Sequence, residues 1–293
     1  MQENTRNTIF IEEAEILSHE AFEEGQFALR VNAPKCAASA KPGQFAHIQC
    51  DPQRLMRRPL SMMRASAQEG WVEFLYKAVG AGTQLLAQRQ VGETVNVMGP
   101  IGRPFELDAS KPKALLLGGG VGIPPMICLS EHIKENLPGI DPVVFMGSEV
   151  PFPFDRKASE IVVNGIDQQV SDCLPLLEEW GIPSRLASLQ DYEGVYQGYI
   201  TDLARNWLNA LSDEERHQVE IYSCGPTPML KAVATLANEF NIPCQVSLEE
   251  YMACAVGGCA GCVVKVMTEA GDVMKRVCVD GPVFEAQTVF SQP

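Results

Sequence analysis

In the first hundred residues apolar side chains recur at every second position. Gln26-Phe-Ala-Leu-Arg-Val31 puts Phe27, Leu29 and Val31 on one face. Ala46, Ile48 and Cys50 share a face, as do Val72, Phe74 and Tyr76, then Val95 and Val97. A period of two is that of a half-buried strand. Turn residues punctuate these segments at Lys41-Pro-Gly43, Gln68-Glu-Gly70, Gly80-Ala-Gly82 and Gly99-Pro-Ile-Gly102. Short strands joined by such turns predict a small antiparallel barrel or sandwich.

The pattern changes near Asp108-Ala-Ser-Lys-Pro112. A continuous apolar run, Ala114-Leu-Leu-Leu117, enters Gly118-Gly-Gly-Val-Gly122 and then Ile123-Pro-Pro-Met126 with a helical stretch behind it. Val143-Val-Phe-Met146, Ser184-Arg-Leu-Ala-Ser-Leu189 and Val219-Glu-Ile-Tyr-Ser223 read as further buried strands, with helices near 202–211 and 228–238. Strands alternating with helices imply βαβ units on a parallel sheet. No internal repeat or low-complexity segment interrupts them. The 293 residues therefore divide into an antiparallel β domain over 1–108, an α/β parallel-sheet domain over 109–245 and a small C-terminal module over 246–293.

Composition narrows the function classes. The chain is 46% hydrophobic and 20% charged, as expected of a globular protein with a proper core. Lys plus Arg is 23 against 37 Asp plus Glu, a net charge of −14. Such a surface argues against nucleic acid or an anionic membrane as partner. The start has no apolar stretch behind a basic cluster, and no run reaches the roughly 18–20 apolar residues that span a bilayer. A soluble, cytoplasmic protein is expected.

Ten cysteines are unusual in such a protein. Disulfides are rare in the cytoplasm, so the thiols are buried residues or ligands. Cys36, Cys50, Cys128, Cys173, Cys224 and Cys244 are scattered and read as small buried hydrophobes. Cys254, Cys259 and Cys262 are spaced C-x4-C-x2-C, and Cys278 follows after fifteen residues. That is the plant-type [2Fe-2S] arrangement. Structural zinc more often uses two C-x2-C pairs or histidine. His19, His47, His132 and His217 all lie outside the group, which removes a Rieske centre. Gly257, Gly258 and Gly261 leave main-chain N–H groups free to approach sulfides.

The other signals are individually weak. The glycines of 118–122 let a backbone approach a pyrophosphate at a helix N-terminus, and a plain tight turn explains them equally well. Arg58-Pro-Leu-Ser61 offers a guanidinium and a hydroxyl to a phosphate, or is an exposed basic turn. Tyr76-Lys77 supplies an aromatic suited to covering a flat ring, and Gly82-Thr83 a phosphate contact, only as parts of a set.

Taken in order, these features resemble the ferredoxin–NADP reductase superfamily. Within it they are most similar to the electron-transfer subunits of two-subunit, NAD-dependent dihydroorotate dehydrogenases. The resemblance covers nearly the whole chain. It is carried above all by Ser247-Leu-Glu-Glu-Tyr-Met-Ala-Cys254, matching S-L-E-x-x-M-x-C, and by Val277-Cys-Val-Asp-Gly-Pro-Val-Phe284 around the fourth cysteine. It implies that Arg58, Pro59, Leu60 and Ser61 hold FAD, with Leu75, Tyr76, Lys77, Gly82 and Thr83. It implies that Gly118, Gly119, Gly120, Val121, Gly122, Gly225 and Pro226 line an NAD(H) site, with Cys224 packed near the nicotinamide. Glu149 would face the adenosine ribose and favour NADH, or be a solvated loop charge. Cys254, Cys259, Cys262 and Cys278 would ligate the [2Fe-2S] cluster.

The implied activity is that of an oxidoreductase passing electrons from NADH through FAD and the cluster to an FMN-containing catalytic subunit. That partner would belong to pyrimidine biosynthesis, in a hetero-oligomer. A reductase serving a ferredoxin or a sulfur enzyme, and a zinc-stapled nucleotide-binding module without redox activity, are the alternatives. Two departures stand out: Ala255 replaces the glycine usual after the first ligand, and Glu149-Val-Pro-Phe-Pro-Phe154 reads as extra material.

Overall fold

Six strands close on themselves in the N-terminal half of the chain: β1 (Phe10–Phe22), β2 (Gln26–Asn32), β3 (Phe45–Gln49), β4 (Arg58–Ser66), β5 (Trp71–Lys77) and β6 (Thr94–Ile101), with short helices α1 (Pro34–Ser39) and α2 (Ala81–Leu86) between them. The computed structural model describes residues 8–290; the stretch 1–7, on which the expectation of no targeting segment rests, lies outside the described residues. All six barrel pairings are antiparallel, in the order β1-β2-β5-β4-β3-β6. The architecture is a closed barrel and not a sandwich. Its interior holds Ile16, Leu29, Ile48, Met62, Phe74 and Val97.

Strand β1 has no clear signature in the sequence. Along its thirteen residues only Ala14 and Ile16 are buried, and a bulge separates Ile16 from Ser18. Glu12, Glu13, Glu15 and Glu20, with Ser18 and His19, interrupt the apolar pattern, because closing the barrel satisfies the strand by pairing on both edges more than by burying side chains.

The second domain is built on a seven-stranded sheet. Its strands are β7 (Lys113–Gly119), β8 (Asp141–Gly147), β11 (Ser184–Ser188), β12 (Tyr196–Gln197), β13 (Val219–Cys224), β14 (Cys244–Ser247) and β17 (Val283–Glu285), in the order β12-β11-β8-β7-β13-β14-β17. A two-stranded ribbon of β9 (Lys157–Ala158) and β10 (Asp172–Cys173) interrupts the β8-to-β11 connection. The sheet is parallel except for β17, which runs antiparallel to β14. Alternation along β7 sends Ala114 and Leu116 to a core shared with α3 (Ile123–Asn136) and α4 (Pro175–Glu179). Leu115 and Leu117 face the opposite core, built with α5 (Ile200–Ala210) and α7 (Thr227–Phe240). Burial on both faces is why these strands read as unbroken apolar runs. A short α6 (Asp213–Arg216) precedes β13.

Beyond β14 the chain forms the cysteine loop, a hairpin of β15 (Val263–Thr268) and β16 (Gly271–Arg276), a turn α8 (Val277–Asp280), then β17 and α9 (Ala286–Val289). The tail is tied to the rest at several points. β17 extends the sheet, Leu248 N–H donates to Pro282 O at 2.9 Å, and Arg103 N–H donates to Gly281 O at 2.6 Å. Barrel and sheet domains meet through Arg64 and Glu131, whose Nη2–Oε1 distance is 2.6 Å, and through Gln26 Nε2 donating to Pro151 O at 2.8 Å. Among the described residues no helix is long and apolar enough to cross a membrane.

Candidate functional site

Arg58-Pro-Leu-Ser61 is not a turn: it opens strand β4. Leu60 points into the barrel core, so by alternation Pro59 and Ser61 lie on the outer face, where His47 and Phe45 of β3 stand opposite them. Arg58 reaches across to the first turn of α2. A Cβ on Gly82 would lie 2.9 Å from Arg58 Nε and 3.0 Å from Cζ. The glycine therefore makes room for the guanidinium, whose Nη1 donates to Met56 O at 2.9 Å.

Thr83 is buried, and its hydroxyl donates to Gly80 O at 3.1 Å while accepting from Gly80 N–H at 3.2 Å. It is thus occupied in closing the helix start, which leaves main-chain contact to a phosphate. Tyr76 corrects the expectation that its ring covers a flat cofactor. The phenol is 1% exposed inside the barrel, stacked 5.4 Å from Phe27 and within 2.8 Å of His19 Nε2. Leu75 is buried as well, and Lys77, half-buried, ends the strand.

The glycine-rich turn lies at the C-terminal end of β7, beside the C-terminal end of β13, where open α/β sheets form their crevice. Gly120, at φ 55°, opens onto free space. A Cβ on Gly122 would lie 2.2 Å from Cys224 O, so only glycine lets these two backbones touch. Val121 is partly exposed, and Pro226 precedes the first turn of α7. Gly118, Cys224 and Ser247 are register partners across three adjacent strands, which gathers 118–122, Cys224, Gly225 and Pro226 at one place.

The Cys224 thiol is fully buried. Burial and then the nearby Glu249 charge push it far above the ordinary thiol range, against a Ser247 side-chain hydrogen bond. Glu249 remains open to solvent on one side yet is closely surrounded by protein, and this desolvation raises its own carboxyl. Sequence reasoning gave Ser247 and Glu249 no role, although both belong to the quoted S-L-E lead-in. Glu149 is exposed two residues past the end of β8, with its carbonyl accepting from Gln190 Nε2 at 3.1 Å. The segment behind it is packed, since Phe152 is buried and its ring centroid lies 5.5 Å from that of Phe154.

The four clustered cysteines fall into two pairs. Cys254 interacts through its side chain with Cys259, and Cys262 with Cys278. Main-chain N–H groups point at the sulfurs: Cys259 N–H donates to Cys254 Sγ and Gly261 N–H to Cys259 Sγ, both at 3.4 Å. At Cys254 burial opposes ionisation, but the N–H groups of Val256, Cys259 and Gly258, with the Cys259 thiol, outweigh it and bring the thiol down to about 7. Cys278 is pushed up to about 12 by burial and by Cys262. No three metal-ligating side chains among the described residues are drawn together to the distance of a single shared ion. Two thiol pairs with N–H groups on sulfur suit a two-iron cluster, in which each iron takes two thiolates. Ala255 adopts φ 55° and is 1% exposed.

Residues 249–290 match the iron-sulfur cluster binding domain of dihydroorotate dehydrogenase B, and residues 9–105 the oxidoreductase FAD-binding domain. The chain is 31% identical over 281 residues to the dihydroorotate dehydrogenase B (NAD(+)), electron transfer subunit, of Desulforamulus reducens, covering 94% of this chain and 97% of that one. It is 34% identical over 286 residues to the subunit of the same name from Bacillus caldolyticus, covering 94% and 96%. Among solved structures, an NADH-dependent reduced ferredoxin-NADP oxidoreductase superposes with a TM-score of 0.76 at 26% identity, over 95% of this chain and 90% of that one. These matches favour an iron-sulfur flavoprotein over a zinc-stapled module without redox activity.

Proposed function

The chain belongs to the family of dihydroorotate dehydrogenase B electron transfer subunits, and from that premise we propose that it carries electrons between NADH and an FMN-containing, dihydroorotate-oxidising catalytic subunit. The observation that carries this reading is the joining of three things in one chain: the Arg58–Gly82 cradle on β4, the glycine crevice at Cys224 and the paired cysteines. Bound FAD supplies the conversion of a two-electron hydride step into single-electron steps that a [2Fe-2S] cluster can take.

The protein's own residues bind and orient. Arg58 gives a charge-assisted contact to a flavin phosphate, and Gly82 leaves room for its guanidinium. Pro59 and Ser61 form the outer face of β4 on which the flavin rests, with main chain from Leu75, Tyr76, Lys77 and Thr83 alongside. Gly118, Gly119, Gly120, Val121 and Gly122, with Gly225 and Pro226, admit the dinucleotide. Cys224 stays a thiol and packs near the nicotinamide as a neutral wall. Cys254, Cys259, Cys262 and Cys278 hold the cluster. Glu149 at the β8 end accepts a hydrogen bond from a ribose 2′-hydroxyl and repels a 2′-phosphate, which favours NADH.

All cysteines among the described residues are free thiols, which fits a cytoplasmic site of action. The test is anaerobic purification of the native complex. It should yield flavin, iron and sulfide in this chain and a second flavoprotein identified by mass. Stoichiometric zinc with negligible iron, or co-purification with a ferredoxin in place of the flavoprotein, overturns the reading.

A further inference from the structure

His47 is 0% exposed, and neither ring nitrogen has a hydrogen-bond partner of good geometry. A buried side chain whose polar atoms are left unpaired is destabilising, so such a group calls for an explanation. Its place in the fold supplies one. On β3, Ala46 and Ile48 face the barrel interior while Phe45 and His47 face outward. The direct partner of His47 on β4 is Pro59, and that of Phe45 is Ser61, so His47 shares a face with the strand that carries the flavin motif. Its partner on the other side, Met98 of β6, packs in one core with Phe45, Met252, Ala255, Cys262 and Cys278. The ring also interacts with the main chain of Met252, two residues before the first cluster cysteine.

From this juxtaposition we propose that His47 is a positioning residue for electron transfer, a neutral imidazole that joins the flavin strand to the cluster lead-in and fixes their separation. The proposal rests on the function assigned above. A neutral imidazole carries one N–H donor and one acceptor. In the proposal the donor serves the Met252 main chain beside it, and so keeps 252–254 seated against β3. Burial, and after it the charges of Arg57 and Arg58, keep the ring uncharged. An apolar side chain of similar size would fill the space but leave the lead-in unanchored, and small displacements of reacting groups carry large rate costs.

The experiment uses the FAD- and iron-loaded chain with His47→Leu and His47→Asn. Bleaching of the flavin by NADH and appearance of the reduced-cluster EPR signal are followed separately in rapid mixing. In His47→Leu, bleaching should stay within about twofold of wild type while cluster reduction slows about tenfold, equivalent to 1.4 kcal/mol. His47→Asn, which keeps an amide donor, should recover most of the rate. A shift in the reduced-cluster EPR line shape in His47→Leu, reverted in His47→Asn, supports the same conclusion. Unchanged cluster reduction in His47→Leu, or equal slowing or equal loss of iron in both variants, overturns it. Failure of NADH to reduce the cluster in wild type would instead overturn the proposed function.

Discussion

Ala255 occupies a left-handed position at φ 55° where a glycine is expected. A Cβ there costs about 1–2 kcal/mol. Glycine in its place would lose roughly 0.4–1 kcal/mol in unfolded-chain entropy. It would also lose about 0.8 kcal/mol of buried methyl, because Ala255 is 1% exposed. The terms nearly cancel, so Ala255→Gly should change stability by less than about 1 kcal/mol and leave iron content intact. Ala255→Val, β-branched at positive φ, should lose the cluster; iron analysis and thermal melts of the two variants check both. His47 is also quantitative. Burial and the charges of Arg57 and Arg58, against the Met252 main chain, bring it down to about 4, from about 6.5 in an unfolded chain. Between those values the unfolded state binds a proton that the native state does not. Stability is then full above about pH 6.5 and falls by about 3 kcal/mol as the pH drops towards 4. Denaturant titrations should show this limb flattened in His47→Leu, and an unchanged limb would assign it to other groups. The C-x4-C-x2-C spacing was legible because spacing and residue type alone point to a cluster, whereas Arg58 was a weak signal by itself and gained a proposed role only through the resemblance. The burial of Tyr76 and the place of His47 were not legible, since a period of two says that a side chain alternates but not which face lies inward until the barrel closes.

Strands buried on both faces and helices with one apolar stripe announced themselves: the expected segments at 202–211 and 228–238 correspond to Ile200–Ala210 and Thr227–Phe240. β1 was silent because its polar residues reflect pairing, and β4 was hidden because Pro59 near its start resembles turn chemistry. The contact of the glycine turn after β7 with the end of β13 rests on an absent side chain. With a Cβ on Gly122 only 2.2 Å from Cys224 O, Gly122→Ala must push the two strand ends apart. A cost of about 1–3 kcal/mol in stability and a raised KM for NADH are expected; an unchanged KM would remove this contact from the nucleotide site. At the end of β8, Glu149→Arg should move the kcat/KM ratio towards NADPH, and wild type favouring NADPH would refute the assigned preference. The extra segment 149–154 is no loose insertion, because Phe152 enters the sheet core and Pro151 O takes a hydrogen bond from Gln26 of the barrel.

At the scale of the whole molecule, the proposed function gives the chain an entry for electrons and an exit. The proposed entry is the crevice between the glycine turn and Cys224. The proposed exit is the cysteine loop, where Cys259 is exposed while Cys262 and Cys278 are buried against the sheet domain. In that reading dihydroorotate is oxidised on the partner's own flavin. The isolated, loaded chain should therefore oxidise NADH with artificial acceptors and show no dihydroorotate oxidation until its catalytic partner is added. Cys259→Ala separates the two ends of the path. It should retain FAD and NADH-driven reduction of dyes that draw directly from the flavin, lose most of its iron, and fail to couple NAD(+) reduction to dihydroorotate oxidation in the reconstituted complex. Dihydroorotate oxidation by the chain alone would contradict this division of labour. Full coupling in Cys259→Ala would move the exit away from the cluster.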